Sequence, residues 1–148
     1  MSTSAFQLIA NALKAALLSG TPVAGGAVFK NRLRPLAASQ NSAVVIAFKN
    51  TTGQEISLNT TDWVSEFEVE CYGRAVAPAE PTDVADALLA AVWPRLLAAS
   101  VTGLAVMQIA ANPAIDWEEV EVETPMSCAR FRLQVFHRTA VNSLLPLV

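Results

Sequence analysis

Apolar residues recur at three- and four-residue spacing from Ser4 to Ser19, where Phe6, Ile9, Leu13, Ala16 and Leu17 line one face. That periodicity predicts an amphipathic helix. Ser4 with Gln7 three residues on is a capping-box pair, and Gly20 supplies a left-handed stop. After the Pro- and Gly-containing link Thr21 to Gly26, the period changes to two. Phe29, Asn31 and Leu33 alternate with Val28, Lys30, Arg32 and Arg34, the pattern of a strand with one polar face over Ala27 to Leu36, ended by Pro35. A polar turn, Ala38 to Ser42, precedes a second, apolar strand, Ala43 to Phe48.

Lys49 to Thr61 holds Asn50, Thr51, Thr52, Gly53, Gln54 and Asn59, with only Ile56 and Leu58 to bury. It reads as a long exposed hairpin arm or loop, a kind of segment that often carries function. Trp63 to Tyr72 is a strand with Trp63, Phe67, Val69 and Cys71 on one face and Glu66, Glu68 and Glu70 on the other. After a proline-containing linker, Thr82 is the expected cap of a second helix, with Ala85, Leu88, Leu89, Val92 and Leu96 as its buried stripe and Asp83 and Asp86 favoured by the dipole of its first turns. Pro94 predicts a kink or break near Trp93.

A strand over Leu104 to Ile109 is followed by the turn residues Asn112 and Pro113. Trp117 to Glu123 and Cys128 to His137 then flank a four-residue turn. Pairing them as a hairpin sets Glu121 opposite Arg130, Glu119 opposite Arg132, Val120 opposite Phe131 and Val122 opposite Ala129. The expected fold is therefore α+β: one domain over 1–148, a mostly antiparallel sheet of four to six strands with two helices packed on one face. Core packing is the expectation for Trp63, Trp93 and Trp117, with an interface role for Trp93 as the alternative.

Composition sharpens this picture. Apolar residues are 53% of the 148 and charged residues 16%, below the roughly 25% charge of an average soluble domain. Much of the exterior is then neutral or apolar, which points to a partner surface. A net charge of -3 with scattered basic residues argues against nucleic-acid binding. The first apolar segment, interrupted by Gln7, Asn11 and Lys14, reads as neither a signal peptide nor a membrane span, so a cytosolic protein is expected.

Little catalytic chemistry is visible. His137 is the one histidine and reads as an ordinary strand-edge residue, and no phosphate loop, dinucleotide fingerprint or nucleophile elbow appears. Cys71 and Cys128 lack metal-ligand spacing and read as buried small hydrophobes, with no disulfide, metal or cofactor expected. The alternate glutamates Glu66, Glu68, Glu70 and Glu119, Glu121, Glu123 could pair as acid and base or hold a cation, but alternate acids opposite Arg130 and Arg132 are what a solvated sheet face looks like.

The order of these elements resembles the tail terminators, the minor tail protein U class of long-tailed bacteriophages and prophages. The likeness runs through VFKNRLRPL at Val28 to Leu36, the strand AVVIAF, WVSEFEVECYGRA at Trp63 to Ala75, the helix DVADALLAAVWPRLL, DWEEVEVE and FRLQVFHRT ending at Thr139. It covers nearly the whole chain, and its marks are the NRxRP turn, the DWE and the terminal RT. The resemblance implies a non-enzymatic assembly protein, monomeric alone, that rings the end of the tail tube as a hexamer. It would stop tube polymerisation and meet a head-tail connector protein, passing from bacterial cytoplasm to virion. Its partners would be itself, the major tail tube protein and that connector, and the Asn50 to Asn59 segment would be a loop fixed on assembly.

A ring needs two different patches that meet. The candidates are the basic strand of Lys30, Arg32 and Arg34 and the acidic face of Glu66, Glu68 and Glu70. Alternatives from other classes are a related neck or tail-completion protein, a small-ligand module with a pocket between sheet and helices, and an enzyme using Cys71 or Cys128 as nucleophile.

Overall fold

The first helix forms where the pattern puts it. A computed structural model describes residues 3–31, 40–57, 59–75, 78–99, 101, 105–120 and 125–146. In it α1 spans Ala5–Leu18 and buries Ala5, Ile9, Ala10, Leu13 and Leu17. Ser4 Oγ accepts from Gln7 N–H at 3.3 Å, while the Gln7 side chain accepts from Lys30 Nζ at 3.0 Å. Gly20 takes φ +66° just past the end, the left-handed conformation that costs glycine least.

The second helix, α2, spans Pro81–Leu97 and buries the expected stripe of Ala85, Leu88, Leu89, Val92 and Leu96. Two local expectations are corrected. Its start is set by Pro81, pre-shaped for the first turn, with Glu80 in the cap position, and Thr82 instead shares a hydrogen bond with Ser127 Oγ at 3.1 Å. Of the kink or break expected near Trp93, the break does not occur, since α2 continues through Pro94 to Leu97. The proline lies in the last turn and costs one hydrogen bond to Ala90, and the next residue, Arg95, donates to the carbonyls of Leu17, Ser19 and Thr21 at 3.2, 3.1 and 2.7 Å, tying the end of α2 to the end of α1.

Five strands make one sheet in the order β1-β2-β3-β5-β4: β1 Val28–Lys30, β2 Ser42–Ser57, β3 Thr60–Arg74, β4 Ala105–Val120 and β5 Met126–Ala140. The α+β class and the mostly antiparallel sheet are as expected. The first strand is shorter than its alternation, and it pairs parallel to β2. Asn31 adopts φ +52°, gives its N–H to Ile46 O and accepts from Phe48 N–H on Oδ1, so the strand ends after three residues. Arg32 and Arg34 lie outside the described residues.

The Lys49 to Thr61 arm is a hairpin whose two strands stay paired out to Ser57 and Thr60. Its β-branched threonines suit a pleated ribbon, and Asn59 sits in the turn, its carbonyl accepting from Val141 N–H at 2.9 Å.

The largest correction concerns β4. The turn expected at Asn112 and Pro113 is a bulge inside one continuous strand, the register shifting between Ala111 and Ile115. An edge strand tolerates this because a proline there deprives no neighbour of a hydrogen bond. The expected hairpin register is also displaced: Arg130 faces Asp116, Ala129 faces Trp117, Phe131 faces Ile115, Glu119 faces Ser127 and Val120 faces Met126. Glu121, Val122 and Glu123 lie outside the described residues, as does Leu104.

Both helices cover the sheet face carrying Phe67, Val69, Cys71, Ala129, Phe131, Leu133 and Val135. Phe48 packs on Phe67 at 4.5 Å between ring centroids and Trp93 on Phe131 at 4.8 Å. At Gly73 a Cβ would stand 2.5 Å from Ala85 N, so glycine lets α2 lie against β3 there. Among the described residues no helix is long and apolar enough to cross a membrane.

Candidate functional site

The sheet has one covered face and one charged face, and the charged face is where the sequence-selected glutamates lie. Glu68 faces Arg132 and Glu70 faces Arg130 across β3 and β5, so the acid-base ladder exists but joins different strands from those expected. Arg130 contacts Glu68 at 3.4 Å, Glu70 at 2.9 Å and Glu118 at 3.0 Å. Arg132 pairs with Glu66 and lies 3.8 Å from Glu68, which Lys49 also approaches at 3.5 Å. Each of Glu66, Glu68 and Glu70 is therefore balanced by cations of its own chain. Asp62 extends the ladder toward the ribbon, and the Arg138 guanidinium that grips it at 2.5 Å holds its carboxyl below the usual range.

Lys30 is on the other side of the molecule. Its Nζ donates to Gln7 Oε1 and Asn11 Oδ1 of α1, so the structure does not bring it together with the three glutamates.

The residues of the ribbon divide by parity. Asn50, Thr52 and Gln54 stand opposite Glu66, Val64 and Asp62 and are exposed. Thr51 and Gly53, exposed as well, stand opposite Ser65 and Trp63 on the helix side of the ribbon. Thr51 Oγ1 lies 3.2 Å from Ser65 Oγ, which in turn lies 2.8 Å from His137 Nε2. The Trp63 indole crosses Gly53 so closely that a Cβ would stand 2.5 Å from its Cζ3, and its N–H donates to Thr139 Oγ1 at 2.8 Å. Phe6 closes this cluster edge-on to both the Trp63 and His137 rings, 5.3 and 5.4 Å between centroids.

His137 is thus not an edge residue. It is 1% exposed on a central strand, because the alternation that buries Phe131, Leu133 and Val135 continues through 137 to Thr139. Nδ1 has no hydrogen-bond partner among the described residues, and burial pulls the imidazole down to about 4. Desolvation likewise raises both thiols, Cys128 to about 12, so neither is a thiolate near neutrality. Among the described residues no three His, Cys, Asp or Glu side chains gather as a metal-holding group.

Two surface features went unread in the sequence. A cleft of about 380 Å³ lies between the ribbon and the C-terminal turn, lined by Gly53, Thr61, Trp63, Asn142 and Leu144. A groove of about 300 Å³ runs between α2 and β4, lined by Leu89, Ala90, Trp93, Pro94, Ile115 and Asp86. Trp93 is partly buried as expected, and so is Trp63, but Trp117 is 47% exposed beside this groove. Trp117 stands on the edge strand of the sheet, so the core expectation fails there. The signal available in advance was Asn112-Pro113, which marks an edge.

No protein-family model matches the chain, and no curated protein matches it. Among solved structures, a chain from the virion of a native gene transfer agent particle superposes with a TM-score of 0.62 at 16% identity. The match covers 88% of this chain and 98% of that one, so the two share a fold across nearly their whole length.

Proposed function

We propose that the chain is a structural subunit of a phage-like virion and, within it, the tail terminator: a ring of six copies on the end of the tail tube that stops polymerisation and receives the head connector. The observation that carries this reading is the fold shared end to end with a chain of a virion particle. Fold alone is compatible with many functions. The order of sequence motifs from VFKNRLRPL to FRLQVFHRT adds the tail-terminator assignment. An exposed paired ribbon, a charged open sheet face and an apolar groove beside an edge strand supply several separate surfaces, as a subunit touching its neighbours, a tube and a connector requires.

The decisive experiment mixes the purified protein with polymerising tail-tube protein and records tube lengths by electron microscopy. Tubes held at one length with a ring at one end are expected. Unaffected tubes with no bound protein would overturn the terminator assignment. The cleft beside Trp63 supports one second reading, a small-ligand module, since its size falls among small-molecule sites. A small molecule retained through purification and displaced by Gly53→Val is the outcome that reading requires.

A further inference from the structure

We propose that the groove between α2 and β4 receives the basic segment carrying Arg32, Leu33, Arg34 and Leu36 from a second copy of this chain, in a head-to-tail contact. The inference deepens the ring reading and rests on it. The groove has an apolar floor of Leu89, Ala90, Trp93, Pro94 and Ile115, the last 38% exposed, with Trp117 further along the same strand face. Its rim is acidic. Asp86 lines it, Asp83 lies one turn earlier on α2, and Glu119 follows Ile115 and Trp117 at alternate positions on β4, opposite the Ser127 that bonds to Thr82 of α2. Asp83, Asp86 and Glu119 are exposed and have no ion-pair partner among the described residues, unlike Glu66, Glu68 and Glu70.

An occupant that fits presents leucine-sized side chains flanked by cations, away from a free strand edge. Edge pairing itself is opposed by the Pro113 bulge and the acidic run Asp116, Glu118, Glu119. The sequence Lys30-Asn31-Arg32-Leu33-Arg34-Pro35-Leu36 has that composition.

It cannot serve the groove of its own chain. Asn31 and Asn41 are pinned at the β2 side of the sheet, through Asn31 N–H to Ile46 O and Arg74 N–H to Asn41 O. The β4 edge is four strand spacings from β1, about 19 Å at the usual separation. Arg32, Leu33 and Arg34 follow Asn31 by one to three residues and so stay within about 11 Å of it. The contact is therefore between copies, and because β1, which the segment follows, and the groove lie at opposite edges of the sheet it joins two different patches, the kind of contact that propagates around a ring.

The test is disulfide trapping of concentrated protein without any tube. Leu33→Cys protein is mixed with Ile115→Cys protein under mild oxidant; Cys71 and Cys128 are buried and stay silent. A mixed dimer that outweighs either homodimer is expected. Adding Asp86→Lys and Glu119→Lys to the Ile115→Cys partner should lower its yield by roughly tenfold, the effect of losing exposed charge pairs and gaining repulsion. Arg32→Glu and Arg34→Glu in the other partner should restore it. Homodimers as abundant as the mixed species, or a yield unmoved by charge reversal, would overturn the contact. Far-UV circular dichroism checks that each variant folds. Tube-length control is scored separately: capping without trapping removes this contact and keeps the terminator reading, and trapping without capping does the reverse.

Discussion

At position 137 an imidazole sits where the strand period demands an apolar side chain, held by one hydrogen bond to Ser65 and with Nδ1 unsatisfied. Its folded pKa of about 4 lies below the ordinary 6.5. The unfolded chain therefore takes up the proton first as pH falls. The stability from neutral His137 is complete above about pH 6.5 and is lost as pH drops toward 4, by about 3 kcal/mol in all. Urea midpoints at pH 7.5 and 4.5 should show that loss, and His137→Gln, which can still bond Ser65, should flatten it. An unchanged pH slope in the variant would refute the assignment. The position was legible from the alternation of Phe131, Leu133 and Val135, yet the polarity of His-Arg-Thr reads as a strand end when residue type is weighed above period. Gly53 is similar. Composition marks it as loop, whereas its cause is the Trp63 ring over its backbone. Gly53→Ala should cost about 1–3 kcal/mol by overpacking and shift Trp63 fluorescence, which a mere loop glycine would not do.

Among the elements, both helices were readable because a stripe of five residues leaves little freedom in which face a helix buries. Strand register was not. The β4–β5 pairing differs from the expectation by an odd number of residues, which exchanges the faces of β4. The error came from treating Asn112-Pro113 as a turn, when on an edge the same residues make a bulge. The acid-base ladder was real, but charge matching along one hairpin cannot say which neighbouring strand supplies the acids, and β3 supplies most of them. Helix-to-sheet spacing also rested on a residue that no pattern singled out. Gly73 admits Ala85 N and Pro81 O within 3 Å of where a Cβ would stand. Gly73→Ala has to push rigid backbone, so a loss of several kcal/mol in chemical denaturation is expected. A variant within 0.5 kcal/mol of the parent would mean that α2 slides at no cost.

For the whole molecule, the ribbon beyond Phe48 separates folding from assembly. Its helix-side residues are held: Thr51 to Ser65, Gly53 under Trp63, Asn59 to Val141. Its other face carries Asn50, Thr52 and Gln54, exposed as Thr51 and Gly53 also are, on a length of β2 that the three-residue β1 does not reach. Sequence alone grouped all six residues as one segment because parity has no meaning until a strand is assigned. With the strand known, the two sets should part under mutation. Thr51→Val removes the part-buried hydrogen bond to Ser65 and should lower stability by about 1 kcal/mol while leaving tube capping intact at permissive temperature. Thr52→Arg with Gln54→Arg changes only exposed side chains and should leave the urea midpoint where it was, but abolish rings at tube ends in micrographs, since new charge is introduced where the ribbon would meet its neighbour. If the double arginine variant still caps tubes at the native length, the exposed face of the ribbon is not an assembly surface, and the contacts must lie on the charged sheet face and the α2–β4 groove.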